Sequence, residues 1–231
     1  MPKQWINNTT TEKIVIVGAG GFGRNVVSFI KDINDYAAAN GLPAQWEILG
    51  IIDDGTPDIT FFHKMGVQLL GKTEVLADLP EGVYYTVAIG SGAARRSIAQ
   101  RADTEGLVPA TLVHPDTSIG ALVTLGEGTV ICPGARLTCN IEVGKHAQIN
   151  MNVTIGHDAV LRDYCTIFPL NAVSGFVTLG EACTLGANSV INPGLTVGEG
   201  AYIGSGAAVT RDVDDYSVVA GVPASVIKNL R

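Results

Sequence analysis

Residues 149–167 read INMNVTIGHDAVLRDYCTI, and an aliphatic side chain stands at every sixth position: Ile149, Ile155, Leu161 and Ile167. The spacing continues both ways. Upstream it takes in Ile119, Leu125, Ile131, Leu137 and Val143; downstream it takes in Val173, Leu179, Leu185, Ile191, Val197, Ile203 and Val209. Sixteen consecutive positions hold Ile, Leu or Val, with none skipped. An amphipathic helix repeats at about 3.6 residues and a half-buried strand at 2, so neither produces a strict period of six. The pattern specifies a parallel β-helix of hexapeptide repeats.

In such a tube the aliphatic residue points inward. The residue four later is also inward and mostly small, as at Ala135, Ala147, Ala159, Cys165, Cys183 and Ala201. Three hexads close one triangular coil of 18 residues, and coils stack about 4.8 Å apart. Residues 18 apart are therefore stacked neighbours, which sets Gly175 over His157 and Cys183 over Cys165. The residue after the aliphatic one is Gly or Asn at ten of the sixteen positions. It reads as a corner that favours φ > 0. Arg162, Phe168 and Ser174 break that rule consecutively, and broken local rules point to places under another demand.

The N-terminal part has a different grammar. Residues 13–23, KIVIVGAGGFG, form a short apolar strand running into Gly18-x-Gly20-x-x-Gly23 and then a helical pattern through Val26, Val27, Phe29 and Ile30. This strand–turn–helix context lets backbone N–H groups approach a phosphate at a helix N-terminus. Further strands are expected at Glu47–Ile52, ending in Asp53-Asp54, around Val67–Leu70, and at Tyr85–Ile89, ending in Gly90-Ser91-Gly92. The expected organisation is a polar tail at 1–12, a Rossmann-like α/β domain at 13–108, and a β-helix with a C-terminal tail at 109–231. About 100 residues fall short of the two mononucleotide halves of a dinucleotide site, so a nucleotide-sugar fits better than NAD.

Composition narrows the rest. The 231 residues include 28 glycines, 16% charged and 46% hydrophobic residues, with a net charge of −7. The negative balance argues against nucleic-acid binding. No apolar run is long enough to span a membrane, and no secretory segment is visible at the N-terminus, so the expected location is cytoplasmic. The four cysteines show no CxxC spacing and read as reduced thiols. No metal is expected: the zinc lyases that use this β-helix need three converging histidines, and only His146 and His157 lie in the repeats.

The pairing of GAGGFG, IIDD and AIGSG with HPDTSIG, IGHD and a terminal VVAGVPASVIK resembles the acetyltransferases of bacterial nucleotide-sugar pathways. The likeness runs from Lys13 to Ile227. It is strongest to the UDP-4-amino-sugar N-acetyltransferases of bacillosamine type, which are related to perosamine N-acetyltransferases and sialic-acid O-acetyltransferases. The resemblance implies a left-handed β-helix, acetyl-CoA as donor, a homotrimer with active sites between adjacent β-helices, and a nucleotide-linked amino-sugar as acceptor, such as a 4-amino-4,6-dideoxy sugar. It implies His157 as general base with Asp158 beside it. Sugar-nucleotide contacts are expected at Gly20, Gly21, Asp53, Asp54, Gly90, Arg95 and Asn150. Acetyl-CoA contacts are expected at Thr166, Gly175, Ala187, Ser205, Pro223 and Lys228. Phe22 and Thr166 depart from the family, where histidines occur. His63, His114 and His146 read as structural or solvent-facing. O-acetylation of a sugar, or sugar-nucleotide binding without turnover, remain the competing readings.

Overall fold

The computed structural model describes residues 5, 6 and 8–231. The first domain is a parallel sheet whose strands are β1 (Glu12–Val17), β2 (Trp46–Ile52), β3 (Leu69–Gly71), β4 (Tyr84–Val87) and β5 (Val108–Pro109), in the order β3-β2-β1-β4-β5. Ile14 to Val17 are fully buried between layers, which explains their unbroken apolar run. Helix α1 (Gly21–Ala39) buries Val26, Val27, Phe29, Ile30, Ile33 and Ala37, a stripe at helical spacing. Helices α2 (Thr60–Lys64) and α3 (Gly92–Thr104) complete the layers. The chain leaves β1 toward β2 and β3, then returns to β4 on the other side. The crevice between the C-terminal ends of β1 and β4 is thus the topological switch point, where such sheets bind ligands.

The expected polar tail is partly anchored. Residues 1–4 and 7 lie outside the described residues, but Ile6 is buried in the α/β core. The transition between domains occupies residues 110 and 111, against an expected boundary of 108/109. Ala110 N–H donates to Tyr85 in the sheet, and Leu112 N–H already donates to Thr129 in the β-helix.

The second domain is a left-handed β-helix with three flat faces. The first face holds Leu112–Val113, Val130–Ile131, Gln148–Ile149, Thr166–Ile167, Thr184–Leu185 and Tyr202–Ile203. It is extended by a hairpin, Ser217–Gly221 and Ala224–Asn229. The second face runs from Ser118–Ile119 to Ala208–Val209 through Thr154–Ile155. The third runs from Thr124–Leu125 to Thr196–Val197. From Leu112 to Val209 the strand pairs between coils are offset by 18 residues, as in Arg136↔Thr154 and Thr154↔Ala172; the last parallel pairing, Tyr202↔Val218, is offset by 16. Fifteen of the sixteen aliphatic positions are buried; Leu125 is half-buried near the open end.

The corner rule needs correction. Positive φ occurs three residues after the aliphatic position, at Leu122, Asn140, His146, Asn152, Asp158, Tyr164, Leu170, Phe176, Ala182 and Asn188 among others. The glycine immediately after the aliphatic residue serves close approach instead. A Cβ on Gly156 would stand 2.4 Å from the backbone nitrogen of Gly175 in the next coil. The left-handed corners are held by inter-coil hydrogen bonds, such as Phe176 N–H to His157 C=O at 2.9 Å. Those bonds let ordinary side chains occupy a conformation that usually calls for glycine.

The α/β domain packs on the lower coils of the first face. Leu112, Val130 and Cys132 enter its core, and Gln148 Nε2 donates to Val87 C=O at 2.8 Å. Arg95 is the buried bolt of this junction. Its Nε donates to His146 C=O at 2.7 Å, and Nη1 donates to Ile89 C=O at 2.7 Å. Its Nη2 reaches Tyr164 C=O at 2.5 Å, Cys165 C=O at 3.1 Å and Thr166 Oγ1 at 3.0 Å. Thr166 Oγ1 in turn donates to Gly90 C=O at 2.7 Å. Arg95 is 1% exposed and Thr166 0%. The expected roles of Arg95 toward a sugar nucleotide and Thr166 toward acetyl-CoA are therefore overturned: both spend their polar atoms holding the two domains together.

Candidate active site

His157 and Asp158 sit on the corner between the second and third faces, directly after Thr154–Ile155. Three features fix the imidazole. Its Nδ1 lies 2.7 Å from Asp158 Oδ2. The backbone of Gly175 lies over the ring, where an added Cβ would come within 2.9 Å of both Cε1 and Nε2. The Phe176 ring meets it edge-on, with centroids 5.0 Å apart at 89°. A carboxylate only accepts, so Nδ1 carries the proton and Nε2 presents its lone pair. Among the described residues Nε2 has no hydrogen-bond partner, and the side chain is 53% exposed. This is the arrangement of a general base facing outward from the tube.

The carboxylate is itself held. Asn140, one coil below, donates from Nδ2 to Asp158 Oδ1 at 2.6 Å. Together with His157, this bond holds the Asp158 carboxyl below the ordinary carboxylate range, Asn140 being the larger cause. Asn140 was not among the residues expected from the sequence. The register that paired His157 with Gly175 would have found it, because 140 is one coil before 158.

Asn150 stands on the other edge of the second face. It is buried, and its Nδ2 donates to Ile167 C=O at 3.0 Å. Ala187 and Ser205 share that edge, two and three coils further along, where the chain again turns from the first face to the second. One chain therefore brings His157, Asp158 and Gly175 together, and gathers Asn150, Ala187 and Ser205 elsewhere. Pro223 and Lys228 are exposed in the terminal hairpin.

In the α/β domain, Gly18 has φ +112°, and a Cβ on Gly23 would lie 2.0 Å from Gly18 C=O, so turn and helix pack without side chains between them. Gly20 and Gly21 face open space. Helix α1 has no side-chain N-cap and no acidic residue in its first turn. Its N-terminal N–H groups and dipole are left for an anion. Asp53 shapes this loop: Oδ2 accepts from Ala19 N–H at 2.7 Å and Oδ1 from Gly55 N–H at 2.8 Å. Asp54 caps the 3-10 helix Thr73–Asp78 through Thr73 N–H at 2.7 Å, which holds its carboxyl below the usual range. Gly90 lies beside Phe168, whose ring would be 3.6 Å from an added Cβ. The Phe168 break in the glycine pattern thus closes the seam between the strand ends and the β-helix.

The remaining histidines have other surroundings. His146 is buried between Tyr85 and Tyr164, with ring centroids 5.9 and 5.4 Å away, and burial pulls it down to about 4. His114 Nε2 lies 3.1 Å from Asp32 Oδ2. His63 is exposed on α2. Cys165 and Cys183 stack inside the tube with sulfurs 3.6 Å apart. Among the described residues no group of three His, Cys, Asp or Glu side chains is placed to hold a metal ion, and no helix is long and apolar enough to cross a membrane.

Comparison with known proteins agrees with this architecture. Residues 13–102 match the PglD N-terminal domain, and residues 176–211 match the bacterial transferase hexapeptide family of six repeats. A GDP-perosamine N-acetyltransferase of Escherichia coli is 26% identical over 182 residues, 75% of each chain. The crystal structure of PerB from Caulobacter crescentus, in complex with CoA and GDP-perosamine, superposes with a TM-score of 0.80 at 28% identity, covering 94% of this chain and 97% of that one. The acetyltransferase domain of PglB from Neisseria gonorrhoeae, in complex with acetyl coenzyme A, gives a TM-score of 0.80 at 29% identity, covering 94% and 100%. A PglD-type N-terminal domain joined to a hexapeptide β-helix is what this chain has in common with these N-acetyltransferases, to which it is similar over most of its length.

Proposed function

We propose that this protein is an acetyl-CoA-dependent N-acetyltransferase that acetylates the amine of a nucleotide-activated amino-sugar. The observation that carries the reading is the His157–Asp158 pair, with Nε2 open beneath a residue that has no side chain. The acceptor amine, once neutral, attacks the thioester carbonyl of acetyl-CoA. His157 Nε2 takes the proton that the nitrogen loses as the C–N bond forms, and Asp158 stabilises the resulting imidazolium. Collapse of the tetrahedral intermediate breaks the C–S bond, and the coenzyme leaves as thiolate. Gly175 gives the thioester room beside the ring, and its own N–H would donate to the developing oxyanion.

The diphosphate of the sugar nucleotide would lie at the uncapped start of α1, against Gly20 and Gly21, with Asp53 and Asp54 shaping the loops and Gly90 bounding the other wall. Acetyl-CoA would run between neighbouring copies, past Gly175 of one chain and Ala187 and Ser205 of the other, toward Pro223 and Lys228. Asn150 and His157 occupy opposite edges of one face, about 16 Å apart at strand rise, so one active site would use Asn150 of a neighbouring copy. A homotrimer packed about the second face meets that need. In its last three coils the outward side chains Ala172, Val190 and Ala208 are small and apolar, following Ser118, Arg136 and Thr154 below, and Leu122, Leu170 and Phe176 are exposed along its edges. A cytoplasmic location follows from the use of acetyl-CoA.

The test is thiol release from acetyl-CoA with UDP-, GDP- and dTDP-linked amino-sugars, beside hydroxyl-bearing counterparts and free sialic acid. Turnover with an amino-sugar nucleotide, reduced about 10²–10⁴-fold by His157→Ala, is the expected result. Turnover confined to hydroxyl acceptors, or undiminished in His157→Ala, would overturn it.

A further inference from the structure

We infer that Asn140 is a positioning residue for this chemistry, holding the Asp158 carboxylate so that Oδ2 is turned to His157 Nδ1. The inference rests on His157 being the base. Asn140 and Asp158 belong to one vertical column of left-handed corner residues, Leu122, Asn140, Asp158, Phe176 and Gly194, with φ between +53° and +73°. Stacking in register puts each side chain over the one below. Asn140–Asp158 is the one pair in the column in which a donor meets a carboxylate. The carboxylate accepts on both oxygens, from Asn140 Nδ2 at 2.6 Å and from His157 Nδ1 at 2.7 Å. Because the carboxylate has no proton to give, the NH₂ group of Asn140 must be the part that faces it.

The anchor has a geometric purpose. Asp158 is only part-buried, with 32% of its side chain exposed, and nothing else holds Oδ1 among the described residues. Without Asn140 the carboxyl is free to rotate about χ1 and χ2, and Oδ2 leaves Nδ1. The imidazole then loses both its tautomer preference and the charge that balances its protonated form. Asn140 touches no reacting atom and acts only through Asp158 and His157.

Three variants separate this role from support of the corner. Asn140→Gly keeps a residue at ease at φ +53° and removes the donor. It should lower kcat about tenfold, the low end for losing a hydrogen bond to a charged group, with both KM values within about twofold and the thermal midpoint nearly unchanged. Asn140→Asp is isosteric and also tolerates the left-handed region, yet sets a second carboxylate against Asp158. It should be worse than glycine, and in an Asp158→Ala background it should cost nothing further. A merely structural Asn140 gives the opposite order, with aspartate near the parent. The inference is overturned if Asn140→Gly turns over at the parent rate, or if Asn140→Asp is benign, while His157→Ala is inactive. An active His157→Ala would instead remove the reading on which it rests.

Discussion

Replacing Arg95 with methionine distinguishes a domain bolt from a substrate contact. The guanidinium gives hydrogen bonds to Ile89, His146, Tyr164 and Cys165 carbonyls and to Thr166 Oγ1, at 2.5 to 3.1 Å, from a site 1% exposed. Methionine fills much of the volume but donates nothing. Each buried carbonyl left unsatisfied costs about 1–3 kcal/mol. Relief of burying an unpaired cation offsets part of this, and a net loss of about 3–5 kcal/mol follows. For a chain of this size each kcal/mol moves the thermal midpoint by roughly 2–4 °C, so the transition should fall by about 6–20 °C. Differential scanning calorimetry should also show it splitting, because the α/β domain loses its strongest polar tie to the β-helix. KM for the sugar nucleotide, measured well below the transition, should change little. A midpoint within about 2 °C of the parent, accompanied by a tenfold or larger rise in that KM, would refute the assignment and return Arg95 to the substrate site.

Two further outcomes follow from the geometry. Gly175→Ala pushes a methyl to 2.9 Å from His157 Cε1 and Nε2, so the ring must shift; steady-state kinetics should show kcat reduced by up to about 10²-fold with unchanged circular dichroism, and parental turnover would contradict the stacking. His146 titrates at about 4 in the fold, below its ordinary 6.5, because burial disfavours its charged form. A depressed pKa gives stability that is whole above 6.5 and lost as pH falls toward 4, here about 3 kcal/mol. Urea titrations at pH 7 and pH 4 should show that loss in the parent and much less of it in His146→Asn.

The tube was legible because its signal is periodic. A strict six admits one architecture, and the register of 18 that it implies is the pairing observed between coils. The corners were legible only in part. A glycine column was read as a column of left-handed residues, whereas the left-handed positions are held by side chains as large as Phe176, Tyr164 and Leu170. Propensity says little there because bonds to the neighbouring coil decide the backbone. The boundary between the domains was legible to within two residues, but the polar contacts across it were not. Arg95 meets its β-helix partners across sequence separations of 51 to 71 residues, with no period to betray them. Arg95 was expected as a sugar-nucleotide contact because it follows Gly90-Ser91-Gly92 at a strand end in a chain that resembles nucleotide-sugar acetyltransferases. Asn140 shows the converse: the information was present in the register and needed only to be applied to Asp158 as well as to His157.

The junction also limits how the molecule can move. A hinge needs slack chain and a surface that can part, and the two residues between the sheet and the first coil offer neither. Gly92 sits so close to the β-helix that a Cβ would lie 2.6 Å from Tyr164 C=O and 3.0 Å from Ala182. The half that would seat the nucleotide and the half that carries the histidine are thus bonded and packed directly against each other. Reach between the two ligands is set in advance by the height of the coils. A change in the length of the acceptor has to be met by the loops at the strand ends or by moving the histidine up or down the tube in whole steps of 18 residues.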